Sequence, residues 1–279
     1  MPLCDNTGMR RMISLRSVIN GTESYFKLRQ DRKTMKLWKN KVSAVTSPQS
    51  FNANIMLTNN QKYVDLAEIC VNSFIYFHPK SHFTLHCDGN TITYTKAKFS
   101  SLIQEGRVKI KEIEAKEGLN WQDQKLEIIL SLSGTKQLML DADLRWNGPL
   151  EINEGVTFFV EEFTLNRKSP FREIIKETKL GTSRSTMKNL SFFSFGGYAL
   201  TEEDLKNIKI CMDEYRENVR SDLVGKFDKA SIERVIEQFV LSVCCETWPT
   251  NINFVKYSDK PKDGGIVESC YFGATGGTF

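Results

Sequence analysis

Chemistry concentrates in one segment, Lys136-Gln-Leu-Met-Leu-Asp141-Ala142-Asp143. An apolar strand that drives into a core and emerges with acids puts them where open parallel sheets bind ligands, at the carboxyl ends of the strands. Side chains alternate along a strand, so Asp141 and Asp143 are expected on one side and Ala142 on the other. Two carboxylates roughly 7 Å apart along the backbone can converge on a single divalent cation. Without a counter-cation they would repel, which raises at least one pKa. Hard oxygen donors of this kind suit Mg²⁺ or Mn²⁺, which keep waters and are shared with substrate phosphates. The alternative is a pair that ends its strand by turning into solvent.

The elements around this segment follow from periodicity. Strands are predicted at Asn54–Thr58, His82–His86, Val108–Ile113, Leu138–Leu140 and Thr157–Val160. Helical spacing marks Tyr63–Phe77, stopped by Pro79, and Gln122–Leu132. Strand, helix, strand in repetition is the signature of an α/β domain on a largely parallel sheet. Farther on, Thr201-Glu-Glu-Asp can cap a helix, and Ile232, Val235, Ile236, Phe239, Val240 and Val243 form an apolar stripe on another. The polar stretch between Asn166 and Asn189 reads as a long loop of the kind that serves a site.

Composition narrows the classes. The chain has 279 residues, 40% of them apolar, with 17 Gly and 7 Pro, which excludes fibrous and wholly disordered proteins. No apolar run approaches the roughly 20 residues of a spanning helix, and the N-terminus has no stretch apolar enough for a signal peptide. The expected location is the cytoplasm. Seven cysteines, odd in number and without Cys-x-x-Cys spacing, fit thiols in a reducing compartment. His78, His82 and His86 are four residues apart, but Pro79 forbids the helix that would align them, and they read as structural. Net charge is +4, yet residues 1–50 hold ten Lys or Arg against Asp5, Glu23 and Asp31, a local balance of +7. The chain therefore divides into a basic N-terminal arm, 1–50, and a domain, 51–279. The arm is either solvated surface or a peripheral contact for an anionic membrane face. No nucleic-acid motif accompanies it.

Leu-Met-Leu-Asp141-Ala-Asp143 followed by Pro149-Leu150 resembles the Asp-x-Asp strand of nucleotide-sugar glycosyltransferases with the GT-A fold. The resemblance covers about residues 52–275 and extends, in order, to Phe193-Ser-Phe-Gly196-Gly197 and to Glu237-Gln238. It implies a single Rossmann-like α/β domain with a mixed, mostly parallel sheet flanked by helices. It also implies transfer of a sugar from a nucleoside diphosphate sugar, a UDP-sugar before a GDP-sugar, to a hydroxyl of a glycan or glycolipid. By carry-over, Mn²⁺ or Mg²⁺ sits on Asp143, with Asp141 assisting it or touching the ribose. Thr58, Asn59, Asp88 and Lys125 then line the nucleoside and phosphate pocket, although Lys125 reads equally as surface. Gly196 and Gly197 are the acceptor-side turn, where a backbone without side chains approaches a sugar closely; a plain turn is the alternative. Trp121, Trp146 and Tyr198 offer faces for sugar rings, or fill the core.

An inverting reaction would also need a carboxylate to take the acceptor proton. Glu161, Glu162 and Glu237 are the candidates, and stereochemistry stays open. One departure weakens metal dependence: the family's His-Tyr-x-Gly segment reads Cys270-Tyr271-Phe272-Gly273, and a thiolate is a soft ligand. Two other classes compete. A haloacid-dehalogenase-like phosphohydrolase also carries Asp-x-Asp after a strand, but Leu144-Arg145 follow here and no Gly-Asp-x-x-x-Asp lies downstream. The other is a catalytically inactive nucleotide-sugar-binding protein.

Overall fold

The computed structural model describes residues 46–58, 60–114, 121–134, 136–152, 154–160, 192–194, 198–225, 232, 236–244, 248, 252–256 and 267–269. The first strand, β1 (Asn52–Leu57), lies between β2 (His82–Cys87) and β4 (Gln137–Leu140), parallel to both, and β3 (Val108–Glu112) extends the parallel array beyond β2. On the other side β4 pairs antiparallel with β7 (Phe192–Ser194). That strand pairs antiparallel with β6 (Val156–Val160), and β6 pairs parallel with β8 (Ile252–Lys256). The order is β3-β2-β1-β4-β7-β6-β8, so β7 alone of the seven runs against the rest. The architecture is thus α/β with a mixed, mostly parallel sheet, as the strand and helix alternation predicts. A second, two-stranded sheet pairs β5 (Leu144–Trp146) with β9 (Val267–Ser269).

Helix α1 (Gln61–Phe77) starts two residues before the expected point, because Asn60 caps it: its side-chain oxygen accepts from the Lys62 N–H at 2.9 Å. It ends at His78, whose backbone has left the helical region (φ −123°, ψ 69°), as the residue before a proline must. Val64, Ala67, Cys70, Val71, Phe74 and Phe77 of this helix meet Ala53, Ile55, Leu57, Phe83, Leu85, Leu138 and Leu140 on one face of the sheet. The opposite face carries Met139 and Val156. Against them pack α4 (Trp121–Leu130), α5 (Glu202–Glu214) and α7 (Ile236–Cys244). Short helices α2 (Ile92–Lys98) and α3 (Ser100–Gln104) bridge β2 to β3. Thr201 caps α5 in a reciprocal box with Asp204, and one π-helical turn, Tyr215–Val219, continues α5 into α6 (Arg220–Leu223).

Residues 46–50, just before the expected boundary at 51, are tied to the domain. Ser47 donates its N–H to the Phe77 carbonyl, and Gln49 exchanges two hydrogen bonds with the backbone of Ile152. His78 is structural in the same region. Its Nε2 accepts from the Leu150 N–H at 2.8 Å while Nδ1 faces the Gln49 carbonyl at 3.2 Å, which assigns the proton to Nδ1. Trp146 is core: it is 1% exposed and stands edge-on to Phe74.

Candidate active site

The carboxyl ends of β1, β2 and β4 lie side by side along one edge of the sheet. Parallel pairing with register Leu57↔Cys87 and Ile55↔Leu140 places Thr58, Asp88 and Asp141 immediately beyond three adjacent strands. This is the edge where a parallel sheet presents ligand-binding groups. Asp88 is engaged in the turn that starts α2. Its Oδ1 accepts from the Thr91 N–H at 2.9 Å and lies 2.8 Å from the Thr91 hydroxyl, whose single proton it shares with the Leu57 carbonyl at 2.9 Å.

The acidic pair does not lie on a strand. β4 ends at Leu140, Ala142 and Asp143 form a turn, and β5 begins at Leu144. The predicted strand alternation of Asp141 and Asp143 is therefore corrected: a turn, not a pleat, sets their directions. Asp141 faces Lys125, whose Nζ stands 2.7 Å from its Oδ1. The same ammonium stands 2.7 Å from Glu237 Oε1. Lys125 is buried, so its surface alternative is excluded; Glu237 is buried too, while Asp141 is half-buried. The structure thus joins three residues that are 16 and 96 positions apart in sequence.

Local sequence explains the arrangement. Gln122, Lys125, Leu126 and Ile129 recur at helical spacing and are all buried, so Lys125 sits on the inward face of α4. Glu237 is the second residue of α7, whose apolar residues Phe239, Val240 and Leu241 dock into the same cluster as Leu126 and Ile129. Burial of charge is tolerated because each charge has an opposite partner. Burial works against the Lys125 ammonium, yet Asp141 and Glu237 together outweigh it and raise its pKa. Burial, with Asp141 adding to it and Lys125 opposing it, pushes the Glu237 carboxyl up to about 7. A carboxyl that titrates near neutrality can both take and give a proton at working pH.

Among the described residues no group of three or more His, Cys, Asp or Glu is placed to hold a metal ion. The donor types at the β4 turn nevertheless fit one. Asp141 and Asp143 are hard oxygen donors separated by one residue, and Mg²⁺ or Mn²⁺ takes one or two carboxylates and completes its shell with water and phosphate oxygens. Asn59, Glu161, Glu162, Gly196, Gly197 and the Cys270 segment lie outside the described residues. Tyr198 donates its hydroxyl proton to Asp204, at the start of α5. Trp121 is 46% exposed at the first residue of α4.

A second polar pair was not visible in the sequence. His86 Nε2 lies 3.1 Å from Asn54 Oδ1, inside the sheet, and burial, with the Lys111 charge nearby, pushes its pKa down to about 4. Arg216, in the π-helical turn, donates from Nε to Oδ1 of fully buried Asp123 at 3.0 Å, anchoring α4 two residues before Lys125. Asp123 beside an apolar stripe was the one available signal.

No family model matches the chain, and no curated protein matches it. Several solved structures are similar in shape. A galactosyltransferase, LgtC, in complex with donor and acceptor sugar analogues, is 10% identical over 78% of this chain and 86% of its own, with a TM-score of 0.48. The glycosyltransferase GlyE of Streptococcus pneumoniae TIGR4 is 10% identical over 79% of this chain and 55% of its own, with a TM-score of 0.46. The mannosyltransferase PcManGT of Pyrobaculum calidifontis, in complex with GDP-Man and Mn²⁺, is 9% identical over 82% and 81%, with a TM-score of 0.32. At such identity, shape does not transfer chemistry.

Proposed function

We propose that this chain is a GT-A-type glycosyltransferase that moves a sugar from a nucleoside diphosphate sugar, a UDP-sugar first, to a hydroxyl of a glycan or glycolipid. One observation carries the reading: a buried ammonium joins Asp141 and Glu237 at the carboxyl edge of β4, with Asp143 two residues after Asp141. Thr58 and Asp88, beyond the neighbouring strands, stand where the nucleoside would lie, with Asn59 next in the chain.

Asp143 with Asp141 would hold Mn²⁺ or Mg²⁺, which when bound supplies positive charge to the departing diphosphate. The protein's own residues do the rest. Lys125 fixes the position of the Asp141 carboxylate by a 2.7 Å charged hydrogen bond. Glu237, with a pKa of about 7, is the described candidate for accepting the proton of the acceptor hydroxyl. Glu161 and Glu162 are the other two candidates. Proton uptake at Glu237 would leave Lys125 paired with Asp141 alone, so the two acids are coupled through one ammonium. Gly196 and Gly197 are proposed for the acceptor-side turn.

Asp-x-Asp after a strand also suits a phosphohydrolase, but no Gly-Asp-x-x-x-Asp segment is present and the first acid is already bonded to a buried lysine. A thermal-shift series with UDP, GDP and their sugars, each with and without Mn²⁺, tests the proposal. A ligand that binds only the folded state raises its apparent stability. Stabilisation by a nucleoside diphosphate that is strengthened by Mn²⁺ supports the reading; none from any nucleotide refutes it. Slow hydrolysis of the bound donor then separates an enzyme from an inactive binder.

A further inference from the structure

Resting on that reading, we infer that Trp121 is a stacking platform for a sugar ring of the acceptor. Four described large apolar side chains are exposed, and Trp121, at 46%, is the largest of them. Trp146 and Trp248, by contrast, are 1% and 5% exposed, so this fold buries an indole where it has no other use for one.

Position gives the exposure its meaning. α4 leads through residues 131–136 into β4, so it runs back along the sheet, and its first residue lies at the edge where β4 ends. Ten helical residues span about 15 Å and the four-residue strand with its two flanking residues spans a similar length. Trp121 therefore stands near the level of Asp141. It precedes Lys125 by four residues, so the two share one stripe of the helix, with Cβ atoms about 6 Å apart. That stripe leads to the Lys125, Asp141 and Glu237 cluster.

The side of the sheet selects the ligand. The proposed nucleoside pocket lies at the ends of β1 and β2, whereas α4 packs with α5 and α7 around Met139 of β4 and Val156 of β6. An aromatic face there is displaced from the nucleobase across the diphosphate position, toward the sugar. A pyranose offers a flat face of C–H bonds that covers an indole, while its hydroxyls stay free to meet polar groups.

The test uses the full chain, ¹⁵N-labelled at its four Trp indoles. The Trp121 signal is assigned by its loss in Trp121→Phe. Glucose, galactose, lactose, maltose and cellobiose are each titrated to tens of millimolar, and UDP with Mn²⁺ is titrated separately. We expect the Trp121 indole to shift with at least one saccharide and to stay in place with UDP and Mn²⁺. Trp121→Phe, which keeps a flat ring, should hold saccharide affinity within about threefold, and Trp121→Leu should weaken it about threefold to tenfold, the range of aromatic contacts. An indole unmoved by every saccharide, one that moves with UDP alone, or a Leu variant that binds as tightly as the parent overturns the inference. Saccharide binding at Trp121 without any nucleotide binding would instead refute the transferase reading and leave this site standing.

Discussion

Removing the shared cation, by Lys125→Met, isolates the physics of the site. Methionine has nearly the volume of the lysine stem, so the space it fills is kept and the charge alone is lost. Deleting one partner of a buried ion pair costs about 3–5 kcal/mol. Asp141, half-buried, recovers part of its hydration, so the loss falls mainly on Glu237, which is 4% exposed. Relief comes from protonation. The Glu237 pKa is already about 7 with Lys125 opposing the rise, and without Lys125 only burial and the Asp141 charge remain, both of which raise it. A carboxyl whose folded pKa exceeds its unfolded value binds protons preferentially in the folded state, so its stabilising uptake is complete at low pH and stability falls as pH rises toward the folded pKa. In the parent this fall from Glu237 ends near pH 7. In the variant it continues above pH 7, at up to about 1.4 kcal/mol per pH unit. Urea unfolding at pH 6, 7, 8 and 9 measures this. The gap between parent and variant should widen from pH 7 to 9, and adding Glu237→Gln should close most of it. A gap that stays constant over that range, or a double variant no more stable than Lys125→Met, refutes the argument that one ammonium compensates a buried acid.

Three further outcomes are expected. Asp143→Ala should abolish sugar transfer and the Mn²⁺-dependent part of nucleotide stabilisation while the variant still unfolds cooperatively in urea; full turnover would remove the proposed metal role. His86 has its pKa lowered to about 4, so the unfolded chain takes up its proton first and stability falls between pH 6.5 and 4. His86→Gln should flatten that acid limb by close to one proton, and an unchanged slope would contradict the burial of a neutral imidazole. Arg216→Ala strips the fully buried Asp123 of its 3.0 Å partner and should cost about 3–5 kcal/mol in urea unfolding, with Asp123→Asn recovering part of the loss. Equal stability of parent and Arg216→Ala would show that Asp123 is held by its other contacts.

Much of the fold was legible because burial imposes a period. Phe74 and Phe77 on α1, Leu85 on β2 and Leu138 on β4 obey the spacing of their elements, and each element appears within a few residues of its expected position. The cap at Thr201 was equally legible, since a cap satisfies backbone N–H groups two or three residues away, whereas the cap at Asn60 went unread and moved the start of α1. The antiparallel insertion of β7 between β4 and β6, and the pairing of β5 with β9, were not legible: a three-residue strand carries too little pattern to name its neighbour.

The site divides in the same way. Sequence alone determined that Asp141 and Asp143 follow a buried strand in a parallel α/β sheet, because an apolar run of that length must be buried and its polar continuation must emerge at the strand's carboxyl end. It left Lys125 poised between surface and site and gave Glu237 no partner. Tertiary structure decided both. α4 and α7 dock on one sheet face through Leu126, Ile129, Phe239 and Val240, and that docking carries one ammonium to within 2.7 Å of two acids. Coulomb attraction at contact distance in a water-poor interior decides protonation and direction. Such contacts arise between elements far apart along the chain, where no local pattern can encode them.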